Sequence, residues 1–415
     1  MAKPKLGLIP AAQGSKFYSV LPSSGVGDFT FSRSGSATRI NSQGLIETVA
    51  NGVSRLNYPM IDGKVVGCPH HILEPQSRNL IAYSEDFSNA AWIKQTNITV
   101  LDNQIISPNG TLNADKITTT SSSNFMYDVL SLTPSIEYTV SFYIKNDNAI
   151  KTRFWGSGES SVDISWNGKN IQNISSGSYE YFGNDWYKIK VTQQSASDGT
   201  YIVRIYPNET ETTTNSVYIW GFQVEQGSYP TSYIPTNGSA VTRSAETANG
   251  SGDASTFNDS EGVLMAEISA LDNDGTFRTI SINGTPTNVN EDRIQIYYRN
   301  TADIINFGME SGNSSQFFSQ FPLDVKSNNK LALKYSASSC SFWINGIKVG
   351  EELNKVMPTD LSRLDFNIQN GTDNFYGNTK QLQYFDSALT DSELETLTSW
   401  VSFSDMANGQ LYTIQ

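Results

Sequence analysis

Strict alternation marks the stretch Tyr138-Thr139-Val140-Ser141-Phe142-Tyr143-Ile144. Every second residue is a large apolar one, which predicts a β-strand buried on that face. The same alternation recurs at 201–206, 294–298 and 331–335, and turn-forming Asn-Gly pairs lie between such stretches, at 51, 109, 167, 237, 249, 283, 345, 370 and 408. Many short half-buried strands joined by tight turns predict an all-β protein built from antiparallel sheets.

One helix is expected, near the C-terminus. Thr390 can cap its first turn while Glu393 reaches back to the cap, and Leu389 and Leu394 can close a hydrophobic staple. This pattern predicts about two to three helical turns.

The length of 415 residues suits two or three domains. Residues 1–75 are rich in Gly, Ser and Pro with short apolar runs, so we expect an extended segment that docks on a partner or on copies of itself. Residues 76–243 predict one jelly-roll sandwich. Residues 244–260 are small and polar, which is typical of a linker, and 261–415 predict a second sandwich that ends with the helix.

The formal net charge is −13. Binding to nucleic acid needs a basic stripe, and none is present, so nucleic acid and anionic lipid are disfavoured as partners. The first residues lack the apolar core of a signal peptide, and no apolar run is long enough to span a membrane. The two cysteines, Cys68 and Cys340, do not form a disulfide framework. We therefore expect synthesis in a reducing cytoplasm and, if the protein acts outside the cell, exit by a route other than secretion.

The N-terminal region resembles the opening of structural proteins from tailed bacteriophages, those of Bacteroidetes-type hosts in particular. The runs that carry the resemblance are Ser19-Val20-Leu21-Pro22, residues 27–34, 37–40 and 44–49, and Arg55-Leu56-Asn57-Tyr58-Pro59. The resemblance implies a virion-attachment or oligomerisation role for residues 1–75.

Two further regions resemble lectin-like folds. The middle region is similar to carbohydrate-binding jelly rolls, on residues 79–81, 84–88, 92, 186–187, 218–225 and 232–236. The third region resembles concanavalin A-like, laminin-G-type sandwiches, on residues 342–349 and 382–394. Together the resemblances imply a protein of the virion surface, a head or tail fibre or adhesion subunit, as a homotrimer that contacts other virion proteins.

Catalysis of glycan cleavage would need two carboxylates flanking the scissile bond. Glu209 and Glu211 have a suitable spacing, but they lie in a polar stretch and are expected to be solvated. Glu267 lies in an apolar stretch with Asp272 beyond it, and it has no acidic partner two or four residues away. The sequence thus predicts no catalytic residues and no enzyme.

Metal ligands are equally sparse. Cys68, His70 and His71 are too close together to ligate one zinc ion, which favours a pair of loop histidines beside a buried thiol. Calcium stays an open alternative, with Asp272-Asn273-Asp274-Gly275 as the candidate loop. No other cofactor is expected.

Aromatic side chains are the best candidates for ligand contact, because sugar rings stack on flat apolar faces. Trp155 lies in a Gly/Ser stretch and Trp166 directly precedes an Asn-Gly turn, so both are candidate carbohydrate-binding residues. Trp186 and Trp220 occupy strand patterns and are expected in the core.

The sequence therefore favours a virion protein that binds host-surface or mucosal glycans. Two alternatives stay open, a glycan depolymerase and a capsid decoration protein without a ligand. The particular glycan and the choice between head and tail stay open as well.

Overall fold

The computed structural model confirms the all-β class, with 54% of the residues in strands and 3% in helix. It describes residues 2–14, 16–156, 161–195, 199–209, 213–284, 292–368, 371–402 and 404–406. Every strand pair within the sheets is antiparallel. Among the described residues, no helix combines the length and the apolar character that crossing a bilayer requires.

The first eighty residues form ten short strands. Their bounds are β1 (Leu6–Gln13), β2 (Lys16–Leu21), β3 (Phe29–Ser32), β4 (Ala37–Ile40), β5 (Ile46–Val49), β6 (Leu56–Asn57), β7 (Met60–Ile61), β8 (Lys64–Val65), β9 (His70–Leu73) and β10 (Ser77–Asn79).

The middle of the chain is a sandwich of two six-stranded sheets. Its strands are β11 (Ile93–Lys94), β12 (Ile98–Ile106), β13 (Leu112–Thr119), β14 (Met126–Ser131), β15 (Glu137–Asn146), β16 (Lys151–Gly156), β17 (Val162–Asn167), β18 (Asn170–Ile174), β19 (Ser178–Gly183), β20 (Trp186–Gln194), β21 (Thr200–Tyr206) and β22 (Asn215–Gln226). The front sheet has the order β11-β14-β21-β16-β17-β18, and the back sheet β12-β13-β22-β15-β20-β19. Alternation along β15 places Val140 and Phe142 in the core between the sheets.

Strand β23 (Val241–Arg243) pairs with β10 in a two-stranded sheet. The residues after it supply most of a second sandwich. Its strands are β24 (Thr247–Asn249), β25 (Glu261–Ala270), β26 (Arg278–Gly284), β27 (Arg293–Tyr298), β28 (Ile304–Ser311), β29 (Ser314–Pro322), β30 (Asn329–Ser336), β31 (Ser339–Ile344), β32 (Ile347–Leu353), β33 (Leu361–Asp365) and β34 (Gly377–Phe385). A five-stranded sheet, β29-β28-β27-β26-β33, faces a larger sheet with the order β24-β3-β2-β1-β34-β25-β30-β31-β32.

The N-terminal segment is not the separate extended element that the sequence predicts. Its strand β1 pairs with β34, and β9 pairs with the same strand further along. Leu6, Phe17 and Phe29 are fully buried in the core of the second sandwich. The expectation of an extended segment was wrong because these apolar residues, too few for a core of their own, complete a core that sequence-distant strands begin, whereas docking on another chain stays a prediction.

The expected linker also differs from prediction. Strand β24 pairs with β3, and the Glu246 side chain just before it is fully buried. Its carboxylate forms ion pairs with Arg33, at 2.7 Å, and with Arg55. Glu74 bridges Arg55, at 2.8 Å, and Arg243, at 2.6 Å. The segment, the linker and the middle sandwich therefore meet in one buried ionic network, which a local count of polar residues does not reveal.

The buried ionic network shifts the pKa values of two of its members. Burial alone would raise the pKa of Glu74, but the Arg243 and Arg55 guanidinium groups lower it to about 2. The pKa of Arg55 is raised above its ordinary value, because Glu246 and Glu74 outweigh the desolvation of the cation. Glu74 and Arg55 are therefore charged at neutral pH, and each depends on its partners.

The predicted helix is present as α1 (Asp391–Thr398), capped by Thr390 with the reciprocal Glu393 contact. Leu389, just before the helix, and Leu394, within it, are buried together, as the hydrophobic staple requires. Asn345 and Gly346 adopt positive φ angles of 48° and 88° between β31 and β32, so this Asn-Gly pair forms the expected tight turn.

Candidate functional site

The outer face of the front sheet carries a row of large side chains. Strands β14, β21 and β16 are neighbours, and their register sets Tyr127 opposite Arg204 and Arg204 opposite Trp155. Residues that alternate with this row, such as Phe154 and Val203, are buried between the sheets. The row therefore faces outward, and its three members are half-buried.

The row is held together by stacking. The Arg204 guanidinium lies 3.6 Å from the centre of the Trp155 ring and 5.3 Å from that of Phe125. The Phe125 ring contacts the rings of Tyr127, at 5.7 Å, and Tyr206, at 4.7 Å. We call this set of five residues the platform. Stacking between aromatic rings fixes the orientation of the guanidinium plane.

Arg204 differs from the other cations beside it. It forms no ion pair with a described residue, and its Nε atom is shielded from solvent without a hydrogen-bond partner. By contrast, Arg153 forms ion pairs with Asp163, at 2.6 Å, and with Glu209, and Lys151 pairs with Asp163 at 2.6 Å. The two described carboxylates of this neighbourhood are therefore compensated by other cations, and Arg204 is left with capacity to bind an anionic group.

The two tryptophans predicted for the site lie in different surroundings. Trp155 lies in the platform. Trp166 was predicted to be accessible, and this was wrong, because it is only 6% exposed and its Nε1 donates to the Thr152 hydroxyl at 2.9 Å. Strand β17 alternates, and Trp166 falls on its inward face beside Tyr187. Proximity to a turn decides accessibility less than the parity of the strand does.

The outer face of the back sheet is covered instead. Trp186 and Trp220 are buried, as expected, but they pack on this outer face rather than between the sheets. Ile46 of the N-terminal segment and Tyr233 lie over them. We call this surface the covered face.

A cleft of about 650 Å³ lies beside the covered face. Tyr179 and Tyr181, on the edge strand β19, line one side and are 40% and 37% exposed. Arg39 and Asn57 of the N-terminal segment line the other. Like the platform, the cleft exposes tyrosine rings. Its cation Lys190, however, forms an ion pair with Glu180 at 2.5 Å.

Three carboxylates converge elsewhere on the middle sandwich. Asp86, Asp102 and Asp115 each offer an oxygen within 4.8 Å of the others, at a cleft of about 480 Å³. Burial raises the pKa of Asp115 to about 6, although the backbone N–H groups of Asn103 and Phe87 donate to it. Such a cluster has the oxygen ligands that a hard divalent cation prefers.

The calcium loop predicted from sequence is committed to protein contacts. Asp274 accepts from the Arg278 guanidinium at 2.8 Å, and Asp272 accepts from the Ser228 hydroxyl at 2.9 Å. Asn273 accepts from the Asp303 backbone N–H at 2.9 Å. The three-aspartate cluster is the alternative place for calcium, although the carboxylates of Asp86 and Asp115 also accept hydrogen bonds from the protein.

The histidine pair is structural, although not as predicted. His70 and His71 lie in strand β9 and are buried, whereas Cys68 is exposed. The ring of His71 stacks on Phe17 at 3.8 Å between centroids. Burial lowers the pKa of both histidines to about 3. The prediction that the histidines lie in a loop was wrong, because a strand that is buried on both faces shows no alternation in sequence. The prediction of a buried thiol was also wrong, since Cys68 is exposed.

The acidic residues weighed for catalysis have structural partners. Glu209 is bound by Arg153, and Glu211 lies outside the described residues. Glu267 accepts from Asn328 at 2.7 Å and from Gln381 at 2.6 Å.

Sequence inspection missed Arg204, Tyr127, Phe125 and Tyr206 as members of a site. One signal was present, because Arg204 and Tyr206 occupy the outward parity of a strand whose other parity is apolar. The register that sets them against Trp155 joins strands some fifty residues apart in sequence and could not be inferred from it.

No protein-family model and no curated protein matches the chain. Among solved structures, the CBM40 of the Ruminococcus gnavus IT-sialidase is 18% identical with a TM-score of 0.30, covering 36% of this chain and 94% of that one. Domain 4 of AbnA, a GH43 extracellular arabinanase from Geobacillus stearothermophilus, in complex with arabinotriose, is 13% identical with a TM-score of 0.30, covering 37% and 73%. The Bacillus licheniformis β-glucanase is 11% identical with a TM-score of 0.27, covering 34% and 72%. Likenesses at this level bear on neither ligand nor activity.

Proposed function

We propose that this chain is a non-enzymatic glycan-binding protein whose ligand lies on the platform. The observation that carries the proposal is the row Tyr127, Arg204 and Trp155 across three neighbouring strands. A sheet presents such a row as a flat and rigid surface, and rigid aromatic side chains bind at a low cost in conformational entropy. Sugars offer C–H faces to such rings and hydroxyl or charged groups to the arginine.

A glycan array with the full chain tests this proposal, followed by titration of the best ligand. Replacing Tyr127 by Ala should weaken binding about tenfold, since stacking of one ring is worth roughly 1–2 kcal/mol. The matched control is Tyr181→Ala, which removes an exposed tyrosine from the cleft beside the covered face. Equal loss in both variants, or loss in the control alone, would move the ligand to that cleft.

For its biological setting, we propose the surface of a tailed-phage particle, as a fibre or adhesion subunit. Support comes from the resemblance of the N-terminal region alone. Antibody labelling of intact particles tests the setting and separates head from tail. Light scattering of the purified chain tests the homotrimer, for which a mass of one chain would be the contrary result.

A depolymerase is the second candidate, because Asp86, Asp102 and Asp115 meet in a cleft and the pKa of Asp115 is raised to about 6. A raised carboxyl pKa beside other acids is what a general acid requires. Both Asp115 oxygens, however, accept backbone N–H groups. We expect no release of reducing ends from host polysaccharide. Turnover that disappears in Asp102→Asn would establish the enzyme instead.

A further inference from the structure

The platform has an unusual electrostatic feature in a protein of net charge −13. Among the residues that the structure describes on this outer face, there are three cations, Lys151, Arg153 and Arg204, and two carboxylates, Asp163 and Glu209. Both carboxylates are held by Arg153 and Lys151, and hydrogen bonding to Arg153 lowers the pKa of Asp163. The one cation in excess is the one that stacks on the rings.

We infer that the platform selects anionic sugars, with the Arg204 guanidinium pairing with a carboxylate or sulfate ester. This rests on the proposed glycan-binding function and names its ligand class. The guanidinium is the natural partner of a planar or tetrahedral oxyanion, because its donors form a fork that matches two oxygens. Its Nε–H has no hydrogen-bond partner, and the side chain forms no ion pair with a described residue, so an incoming anion displaces no ion pair among them.

Stacking makes this arginine a better anion receptor than a free surface arginine. The rings of Trp155 and Phe125 hold the guanidinium in place, so little side-chain entropy remains to be lost on binding. The same rings exclude part of the surrounding water, which strengthens the charge pairing. A sugar that brings both an apolar face and an anionic substituent satisfies the rings and the cation together.

The test compares polymers that differ only in charge. Polygalacturonic acid is set against its fully methyl-esterified form, and dextran sulfate against dextran, with a glycan array of acidic and neutral oligosaccharides beside them. We expect the anionic member of at least one pair to bind, with affinity falling as salt increases. Loss on esterification assigns a carboxylate, and loss on removal of sulfate assigns a sulfate ester.

Arg204→Gln should lower affinity for the anionic ligand about tenfold to a hundredfold, as expected for losing a hydrogen bond to a charged group. Arg204→Lys keeps the charge but lacks the forked donors, so its affinity for the anionic ligand should lie between that of Arg204→Gln and that of the unaltered chain. Arg299→Gln is the matched control, since it removes the same charge from the residue that directly follows β27 in the second sandwich. Near-UV circular dichroism of each variant shows whether the platform is retained.

The outcomes separate this inference from the function on which it rests. If neutral and anionic polymers bind equally well, or Arg204→Gln binds the anionic one like the unaltered chain, anion selection is wrong and glycan binding stands. If no glycan binds at all, both are wrong. A drop in Arg299→Gln that equals the drop in Arg204→Gln would assign the effect to net charge and overturn the site.

Discussion

The two outer faces of the middle sandwich carry similar residues and differ in what lies over them. The covered face has Trp186, Trp220 and Tyr143 packed beneath Ile46 and Tyr233. The platform has Trp155 and its aromatic neighbours, and none of them belongs to a buried hydrophobic cluster of the described residues. Aromatic content alone therefore does not identify a binding surface. The route of the rest of the chain decides which aromatic face is core and which can meet a ligand.

The largest expected effect comes from breaking the network that fixes the covering segment. Glu246→Ala leaves Arg33 and Arg55 without their shared carboxylate in a fully buried position. Removing one partner of a buried ion pair costs about 3–5 kcal/mol. Here Arg33 loses the carboxylate it pairs with, and Arg55 keeps Glu74. Urea unfolding of the full chain measures the loss. Glu137→Ala, at an exposed glutamate, is the control and should change the free energy of unfolding little.

A second test compares one tryptophan from each face. Trp220→Ala removes a side chain that is 1% exposed and should cost on the order of 3 kcal/mol. Trp155→Ala removes a half-buried ring and one cation–π contact, so about 1 kcal/mol is expected. Thermal unfolding of the two variants side by side measures both. Equal losses would mean that the platform is as much a core as the covered face.

The third prediction concerns acid. His70 and His71 have folded-state pKa values of about 3, below the ordinary 6.5, because burial disfavours their charged forms. Their contribution is therefore complete above pH 6.5 and is lost as the pH falls towards 3. Between pH 6.5 and 5 each histidine should cost about 2 kcal/mol of unfolding free energy.

Glu74 acts in the same direction at lower pH. Its folded pKa of about 2 lies below the ordinary 4.5, so its contribution is lost only as the pH falls below about 4.5. From pH 6.5 to 5 the histidines lower the stability, whereas Asp115, whose folded pKa is raised to about 6, acts in the opposite direction, so a histidine variant has to be compared with the unaltered chain. His71→Met, which keeps a bulky apolar group beside Phe17, should reduce the slope of stability against pH in that interval. An unchanged slope would show that the histidines do not titrate as their burial implies.

Local sequence patterns predicted those features of the fold that depend on residues close together in the chain. The alternation at Val140 and Phe142 predicted a buried strand face, and the Thr390 cap predicted the helix, because each depends on residues within a few positions. The covering of Trp220 by Ile46 could not be predicted, since it depends on how distant segments meet. The same limit explains the error at Trp166, where turn proximity was weighed above strand parity. Arg204 illustrates this limit. Its outward position on the strand can be predicted from the sequence pattern, but the lack of an acidic partner among the described residues cannot.

The smallest expected effect on stability comes from placing a carboxylate on the platform. Val129 is 48% exposed on β14, opposite Ile202, and lies diagonally across from Arg204. Diagonal cross-strand neighbours are within reach of long side chains, so a glutamate at this position can pair with the guanidinium. An exposed ion pair contributes about 0–1 kcal/mol, and Val129→Glu should therefore leave the unfolding free energy nearly unchanged.

Its effect on binding should be much larger, because the new carboxylate occupies the anion site from within the chain. We expect Val129→Glu to weaken binding of the anionic polymer about tenfold and to spare any neutral ligand. Val129→Gln, which has the same shape without the charge, should bind like the unaltered chain. Should the glutamine variant lose as much affinity as the glutamate variant, bulk rather than charge would be the cause, and pairing with Arg204 would no longer explain the selection. On the covered face no substitution could separate binding from stability in this way, since every aromatic residue there is also part of the core.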